Sequence, residues 1–434
     1  MAFTEILPGI HYVGVNDRTT TRFESLWSLP YGVSYNSYLV IDEKVALIDT
    51  VEVSFGEQFI DNIRAILKDR PIDYLVVDHM EPDHSSSIKT LRLLYPEMQI
   101  VGNAKTLQML DGYYGIHTLT REVKEGESIS LGQKNLSFYM APMVHWPEVM
   151  VTYCPEHKVL FSADAFGTFG ALNGGILDSQ LSLDHFWDEM RRYYACIVGK
   201  YGAPVQKALQ KLSGLPIETI CSTHGPVWQQ EIGRVIGIYD QLSRYEGEPG
   251  VVIAYGSMYG NTAQMAEKIA RELAVQGVKN IIVYNLSYAD ISNVIRDIFK
   301  YDTLIVGSPT YNGELFPEVG SLLQKISERC IPCRKFAYFG SYTWAGAAVR
   351  LLGEFAQKMK WEAICQPTEM KQGYDDLGAR CCTACLLYTS PSPRDRQHLP
   401  KPLPKKSGRK SRFVRNKQGR CRHWHRPCLV SISF

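Results

Sequence analysis

Six consecutive residues, His79-Met80-Glu81-Pro82-Asp83-His84, crowd two imidazoles and two carboxylates into one short stretch. Pro82 restricts Glu81 to an extended backbone, and in an extended chain alternate residues face the same way. The pattern predicts His79, Glu81 and Asp83 on one face, with His84 joining them only if the chain turns just after Asp83. A mixed nitrogen and oxygen donor set of this kind suits iron, manganese or zinc. The apolar run 74–77 precedes it, which places the stretch at the carboxyl end of a strand. Alone, the six residues read equally well as a polar loop.

Three further strand patterns end in residues of the same chemistry. The run 135–141 leads through Pro142 and Met143 to His145, the run 159–161 releases Asp164 into small residues, and 218–222 leads to His224 and then Gly225-Pro226. Any one of these is readable as a loop hydrogen-bonder or a helix cap. Four strand ends presenting His79, Glu81, Asp83, His84, His145, Asp164 and His224 together read as a convergent two-metal centre.

The elements that must position these residues are strands over 10–15, 38–41 and 45–48 around a turn at 42–44, then a helix over 55–67 with Phe59, Ile63, Ile66 and Leu67 at helical spacing. A helix from Ser86, a strand over 99–102 and helices around 184–198 and 203–213 follow. Hairpins mixed with strand–helix alternation predict sheets covered by helices on their outer faces.

Residues 1–247 resemble the metallo-β-lactamase-like domain of flavodiiron proteins, an αββα sandwich. Glu81 stands where the hydrolases of that superfamily have a second histidine, a replacement characteristic of the di-iron branch and suited to ferric charge. The resemblance implies that His79, Glu81 and His145 bind one iron, that Asp83, His84 and His224 bind the other, and that Asp164 bridges them. In the family, solvent can replace the histidine equivalent to His84.

A second domain is expected from Gly250, after the linker 246–249. The apolar run 251–255, the loop Ser257-Met258-Tyr259-Gly260-Asn261-Thr262 and a helix over 262–275 form a strand, loop and helix start, where backbone N–H groups can hold a phosphate. The loop lacks both the Gly-Lys-Ser/Thr of nucleoside triphosphate sites and the G-x-G-x-x-G of dinucleotide sites. Strand–helix units follow at 280–284 with 289–299, 303–306 with 317–329, 336–339 with 345–359, and 363–366 with a final interrupted helix. These predict a doubly wound parallel sheet with its crevice at the strand ends. Residues 250–385 resemble flavodoxin. The resemblance implies an FMN whose phosphate sits on Ser257, Met258, Tyr259, Gly260, Asn261 and Thr262. Pro309, Thr310, Tyr311, Asn312 and Gly313 would border its ring, as would Ser341, Tyr342, Thr343, Trp344, Ala345 and Gly346, with Trp344 placed to stack or else to serve as a core aromatic.

The net charge of +2 over 434 residues hides an asymmetry: residues 386–434 hold 13 Lys and Arg against one acidic residue, a net +12, which leaves the first 385 at −10. An acidic body gives no reason to expect nucleic-acid binding. The Pro-rich basic segment 386–434 has no apolar period and is expected to be disordered; its LLYTSPSPRD run resembles translated adaptor sequence, which reads as non-native and implies a truncated last flavodoxin helix. Nowhere are there 18 consecutive apolar residues, and no basic-then-apolar leader opens the chain, so a cytoplasmic protein without membrane segments is expected. Eleven scattered cysteines form no disulfide framework. Cys330 and Cys333 make one C-x-x-C that reads as incidental, and Cys382 and Cys385 have no matching pair, so no built-in rubredoxin module is expected.

Together the resemblances imply a flavodiiron oxidoreductase in which FMN passes electrons to two irons that reduce O2 to water, NO to N2O, or both. They also imply an external donor (rubredoxin, a flavin reductase or reduced deazaflavin) and a head-to-tail homodimer or dimer of dimers. The alternatives are a zinc hydrolase fused to a flavodoxin domain and a non-catalytic electron-transfer flavoprotein.

Overall fold

Alternation of buried side chains builds the first half of the molecule. In the strands Tyr38–Ile41 and Val45–Ile48, the residues Tyr38, Val40, Ala46 and Ile48 enter one apolar core while Leu39, Val45 and Leu47 are buried on the other face. A strand buried on both faces needs cover on both. The computed structural model describes residues 5–361 and 363–373. By contacts the chain forms two compact units, one of Met1–Glu248 with Asp290–Asp302 and Lys325–Ile331, the other of Pro249–Ala289, Thr303–Gln324 and the described residues from Pro332 onward.

In the first unit a seven-stranded sheet runs in the order Glu5–Leu7, Ile10–Tyr12, Tyr38–Ile41, Val45–Ile48, Tyr74–Val76, Gln99–Gly102, Thr120–Glu122. Its early pairs are antiparallel and its last three parallel. A second sheet orders Ser128–Ser130, Asn135–Met140, Met150–Cys154, Val159–Phe161 and Thr219–Cys221, antiparallel except for the final parallel pair. One core lies between them: Tyr12, Ile48, Tyr74 and Val76 of the first sheet share it with Phe138, Met150, Phe161 and Cys221 of the second. Helices complete the layers. Gly56–Leu67 buries Phe59, Ile60, Ile63 and Leu67 along one face, and Ala104–Tyr114 lies on Gln99–Gly102 and Thr120–Glu122.

In the second unit the strands follow the order Ile281–Asn285, Glu248–Tyr255, Tyr301–Tyr311, Lys335–Tyr342, Thr368–Lys371, and the hairpin strand Glu314–Leu315 pairs with Tyr301–Tyr311. In sequence order this is 2-1-3-4-5, the doubly wound arrangement with a switch point beside its first strand. Met265, Ala266, Ile269 and Leu273 of the helix Asn261–Val275 pack on Val251, Ile253 and Ile305. The fifth strand differs from expectation: it is Thr368–Lys371 rather than 363–366, and Ala363 makes only an isolated bridge to Phe336. Pro367 has no N–H to give a ladder, so regular pairing starts after it. The final helix and the basic segment 386–434 lie outside the described residues. Among the described residues no helix is long and apolar enough to cross a membrane.

Candidate metal centre

All four expected strand ends meet at one end of the sandwich. His79 follows Tyr74–Val76 of the first sheet; His145, Asp164 and His224 follow Asn135–Met140, Val159–Phe161 and Thr219–Cys221 of the second. The hexapeptide does not run extended through Asp83 as its sequence predicts. Glu81 is extended at φ −58°, ψ 139°, but Pro82 opens the one-turn helix Pro82–Ser85. Proline suits a first helical position, having no N–H to leave unpaired there. The turn therefore comes before Asp83 and swings it away from His79 and Glu81.

Two groups of donor atoms result. His79, Glu81, His145 and Asp164 form one; Asp83, His84 and His224 form the other. In the first, Glu81 Oε2 lies 3.3 Å from His79 Nε2 and 3.1 Å from His145 Nε2, and Asp164 Oδ2 lies 3.5 and 3.1 Å from the same nitrogens. In the second, Asp83 Oδ2 lies 3.2 Å from His84 Nε2 and 3.3 Å from His224 Nε2. Asp164 faces both, for its Oδ1 is 2.9 Å from His84 Nε2 and 3.7 Å from His224 Nε2. Separations near 3–3.5 Å are the edges expected of donors sharing an ion at about 2.1 Å.

The hydrogen-bond inventory argues the same way. Asp83 Oδ1 and His84 Nδ1 are buried with no hydrogen-bond partner among the described residues, and Asp83 Oδ2, His84 Nε2 and His224 Nε2 meet only one another and Asp164, without hydrogen-bond alignment. Leaving such groups unpaired is costly, and a cation shared among them removes the cost. Two ligand tautomers are fixed from behind: His79 Nδ1 donates to Glu148 Oε1 at 2.8 Å and His224 Nδ1 to the Ser34 carbonyl at 2.7 Å, which turns each Nε2 lone pair inward.

Charge balance in the pocket is steep. Burial opposes protonation of His84, but the Asp83 and Asp164 carboxylates more than reverse this and push it up to about 9. His145 is likewise pushed up to about 9 by Asp164 and Glu81 against its burial. Burial would raise the Asp164 carboxyl; His84, His79 and His145 instead hold it well below the usual carboxylate range. Without metal the pocket holds protons where it is built to hold cations.

The comparisons with known proteins agree with this geometry. The model of the ODP family beta lactamases matches residues 33–225, and the flavodoxin model matches 253–381. The nitric oxide reductase of Moorella thermoacetica is 34% identical over 366 residues, covering 83% of this chain and 91% of that protein. An anaerobic nitric oxide reductase flavorubredoxin of Vibrio vulnificus is 33% identical over 346 residues, covering 78% and 70%. Among solved structures, the rubredoxin oxygen:oxidoreductase of Desulfovibrio gigas superposes with a TM-score of 0.84 at 28% identity, covering 89% of this chain and 99% of that one. The flavodiiron protein of Giardia intestinalis gives 0.83 at 27%, covering 89% and 97%. The chain belongs to the flavodiiron protein family.

In this flavodiiron protein the expected flavin loops occupy the carboxyl ends of the three central strands. Loop 257–262 opens the helix Asn261–Val275, with Gly260 at φ 92° and Met258 and Tyr259 exposed. Ser257 Oγ accepts from the Gly260 and Ala263 amides at 3.2 and 3.4 Å, and Thr262 pairs with Ser341 at 2.9 Å. Asn312 and Gly313, both at positive φ, make the two-residue turn to Glu314–Leu315. Thr310 Oγ1 accepts from the amides of Ala347 and Ala348, so it holds a helix start as well as bordering the crevice. Trp344 is 88% exposed, which removes its reading as a core aromatic and leaves its ring free to cover a flat ligand.

Four residues around the two donor groups carry little or no signal in the sequence. Asp49 Oδ1 accepts the Asp78 and His79 amides at 2.8 and 3.3 Å, and it too follows a strand, Val45–Ile48, so the strand-end rule would have found it. Glu148 and Thr223, whose hydroxyl donates to Asp164 Oδ1 at 2.5 Å, carry no signal beyond nearness to His145 and His224 in the chain. Tyr193 had none: its ring lies 5.4 Å from His224, and its buried hydroxyl has no partner among the described residues. Of the aromatics near the ligands in sequence, Trp146 stands edge-on to His79 at 5.4 Å, whereas Tyr153 gives its hydroxyl to the Pro216 carbonyl.

Proposed function

We propose that this chain is a flavodiiron oxidoreductase that reduces O2 to water, NO to N2O, or both. His79, Glu81 and His145 would hold one iron, Asp83, His84 and His224 the second, and Asp164 would bridge them. When bound, FMN would supply electrons singly or in pairs, and two irons held by these residues would supply redox chemistry toward a diatomic gas. The observation that carries the reading is Asp164 turning one oxygen to each donor group, with a carboxylate, Glu81, completing the first. Carboxylates favour the higher charge of ferric iron, so Glu81 weighs against a zinc hydrolase.

The protein's own part is to bind, orient and supply protons. Glu148 and the Ser34 carbonyl hold two imidazoles in the ligating tautomer, and Thr223 steadies the Asp164 oxygen that faces the second group. Reduction of O2 to two waters consumes four electrons and four protons; reduction of two NO to N2O and one water consumes two of each. Tyr193, whose ring lies 5.4 Å from His224, has a buried hydroxyl with no partner among the described residues, which would be available to hydrogen-bond a bound diatomic. For the flavin, the amide-lined start of the helix Asn261–Val275 would take the phosphate at Ser257–Thr262, and Pro309–Gly313 with Ser341–Gly346 would border the ring. An external donor of the rubredoxin, flavin reductase or reduced deazaflavin kind would refill the flavin, in the cytoplasm, with a head-to-tail homodimer or dimer of dimers as the working unit.

The test is gas consumption at an electrode by purified protein with iron and FMN loaded, given one donor and either O2 or NO. Consumption of either gas is expected, and the ratio of rates assigns the preference. Consumption of neither, with both cofactors present, would overturn the reading.

A further inference from the structure

Against the second sheet of the first unit, beneath the helices Gly202–Leu212 and Ile232–Ser243, lies a cavity of about 20 Å³. Val151 lines it from the strand Met150–Cys154, and Ala208 and Leu209 line it from the first of those helices. The rest of its wall includes Val144, Ala165 and Phe166. These are neighbours of the metal ligands in the chain: Val144 directly precedes His145, and Ala165 and Phe166 directly follow Asp164. The void therefore abuts the two loops that carry a terminal ligand and the shared carboxylate.

Its two polar side chains have their hydroxyls engaged with backbone carbonyls. Ser162 donates its hydroxyl to the Ala165 carbonyl at 2.8 Å, and Tyr239 donates to the Gly167 carbonyl at 3.0 Å. What remains is aliphatic and aromatic surface. A space above roughly 10–15 Å³ is large enough for a water, but a water needs two to four polar partners to stay, and cavities with apolar walls remain dry and take xenon or small apolar molecules instead. A dry hole beside the ligand loops is not needed for the sandwich to fold; filling it with a methyl group would improve packing.

We propose that this cavity is a holding site for an uncharged diatomic gas, which waits there before reaching the metal centre from the helix side. The inference rests on the gas-reducing reading above. Small neutral diatomics are weakly hydrated, so a dry apolar pocket concentrates them while excluding water and anions. Its contribution is to capture, and it leaves the reduction itself to the metal site.

The test has two arms, both on the metal- and flavin-loaded protein. Crystals under xenon pressure should show a xenon atom among Val144, Val151 and Leu209, absent in Ala208→Leu, which fills the space. Ala208→Leu should raise KM for the consumed gas by about threefold with kcat unchanged, the signature of lost capture with intact chemistry. Should that variant not fold, Leu209→Ala enlarges the space and should raise xenon occupancy and lower KM. No xenon in the cavity, or a KM indifferent to the variant, overturns the proposal while leaving gas reduction in place. Xenon in the cavity of a wild-type protein that consumes neither gas overturns the functional reading, and with it the substrate role of the cavity.

Discussion

His79 and Glu148 are joined by a 2.8 Å hydrogen bond between two fully buried side chains, Nδ1 to Oε1, and the same oxygen also accepts the Met80 amide at 3.0 Å. The carboxylate thus fixes the imidazole and the backbone next to it. Glu148→Gln keeps the shape but removes the charge that makes the imidazole a stronger donor to metal. Metal affinity should fall by about 10- to 100-fold with the fold intact. Iron titration with circular dichroism as the control checks this; unchanged iron affinity would rule out the supporting role of Glu148.

Asp164→Asn keeps the bridge's shape and loses its charge, leaving His79, His84 and His145 without the carboxylate that faces all three. Retained iron should drop sharply and gas consumption with it, while FMN stays bound in the other unit. Metal analysis alongside flavin absorbance reads both quantities in one sample. Full activity in the variant would refute the bridging assignment.

The metal-free protein should depend on pH in a defined direction. Burial disfavours charge on His84 and His145, yet the surrounding carboxylates push both up to about 9, above the roughly 6.5 of an unfolded histidine. A pKa raised on folding contributes stability that is complete below the unfolded value and is lost as pH climbs through the folded one. Melting temperature of the metal-free protein should therefore decline between about pH 6.5 and 9 from these two groups. Loading metal at pH 7 must expel their protons. Calorimetry in buffers of different ionisation enthalpy counts them, and a binding enthalpy independent of buffer would contradict the expectation.

Tyr193→Phe separates stability from turnover. Removing a buried hydroxyl that has no partner among the described residues should leave stability unchanged or raise it by up to about 1 kcal/mol. If the hydroxyl assists a bound gas, kcat falls nonetheless. A drop in melting temperature would show instead that the hydroxyl is bonded in the folded protein.

Trp344→Ala tests the flavin crevice. An 88% exposed tryptophan contributes little to its own fold, so the variant should fold normally and bind FMN about tenfold more weakly through loss of aromatic cover. Fluorescence titration of the flavin-free protein measures this directly, and equal affinity would place the ring elsewhere.

The seven His, Asp and Glu residues that converge in the two donor groups were legible because strand ends are easy to read and because imidazoles and carboxylates stand out after apolar runs. The doubly wound class of the flavodoxin-like sheet was legible for the same reason: its first four β runs are each followed by a helix of clear period. Less visible was where the chain turns within the hexapeptide. Pro82 biases the residue before it toward extension and also starts helices, and only the tertiary setting decided that Asp83 belongs to the turn. The strand at Thr368–Lys371 was misplaced because an apolar run ahead of Pro367 outweighed the missing amide. Glu148 and Tyr193 escaped because their roles depend on what the fold brings beside them.

The one-turn helix Pro82–Ser85 also settles a matter of tolerance. His79 and Glu81 serve one donor group while Asp83 and His84 serve the other, so six adjoining residues span the whole centre. The distance across it is written into a covalent ruler of fixed length, and slight breathing of the two sheets cannot stretch it. Inserting or deleting a single residue between Glu81 and Asp83 would change the gauge of the site, whereas the other ligands, arriving one per loop, can be adjusted singly.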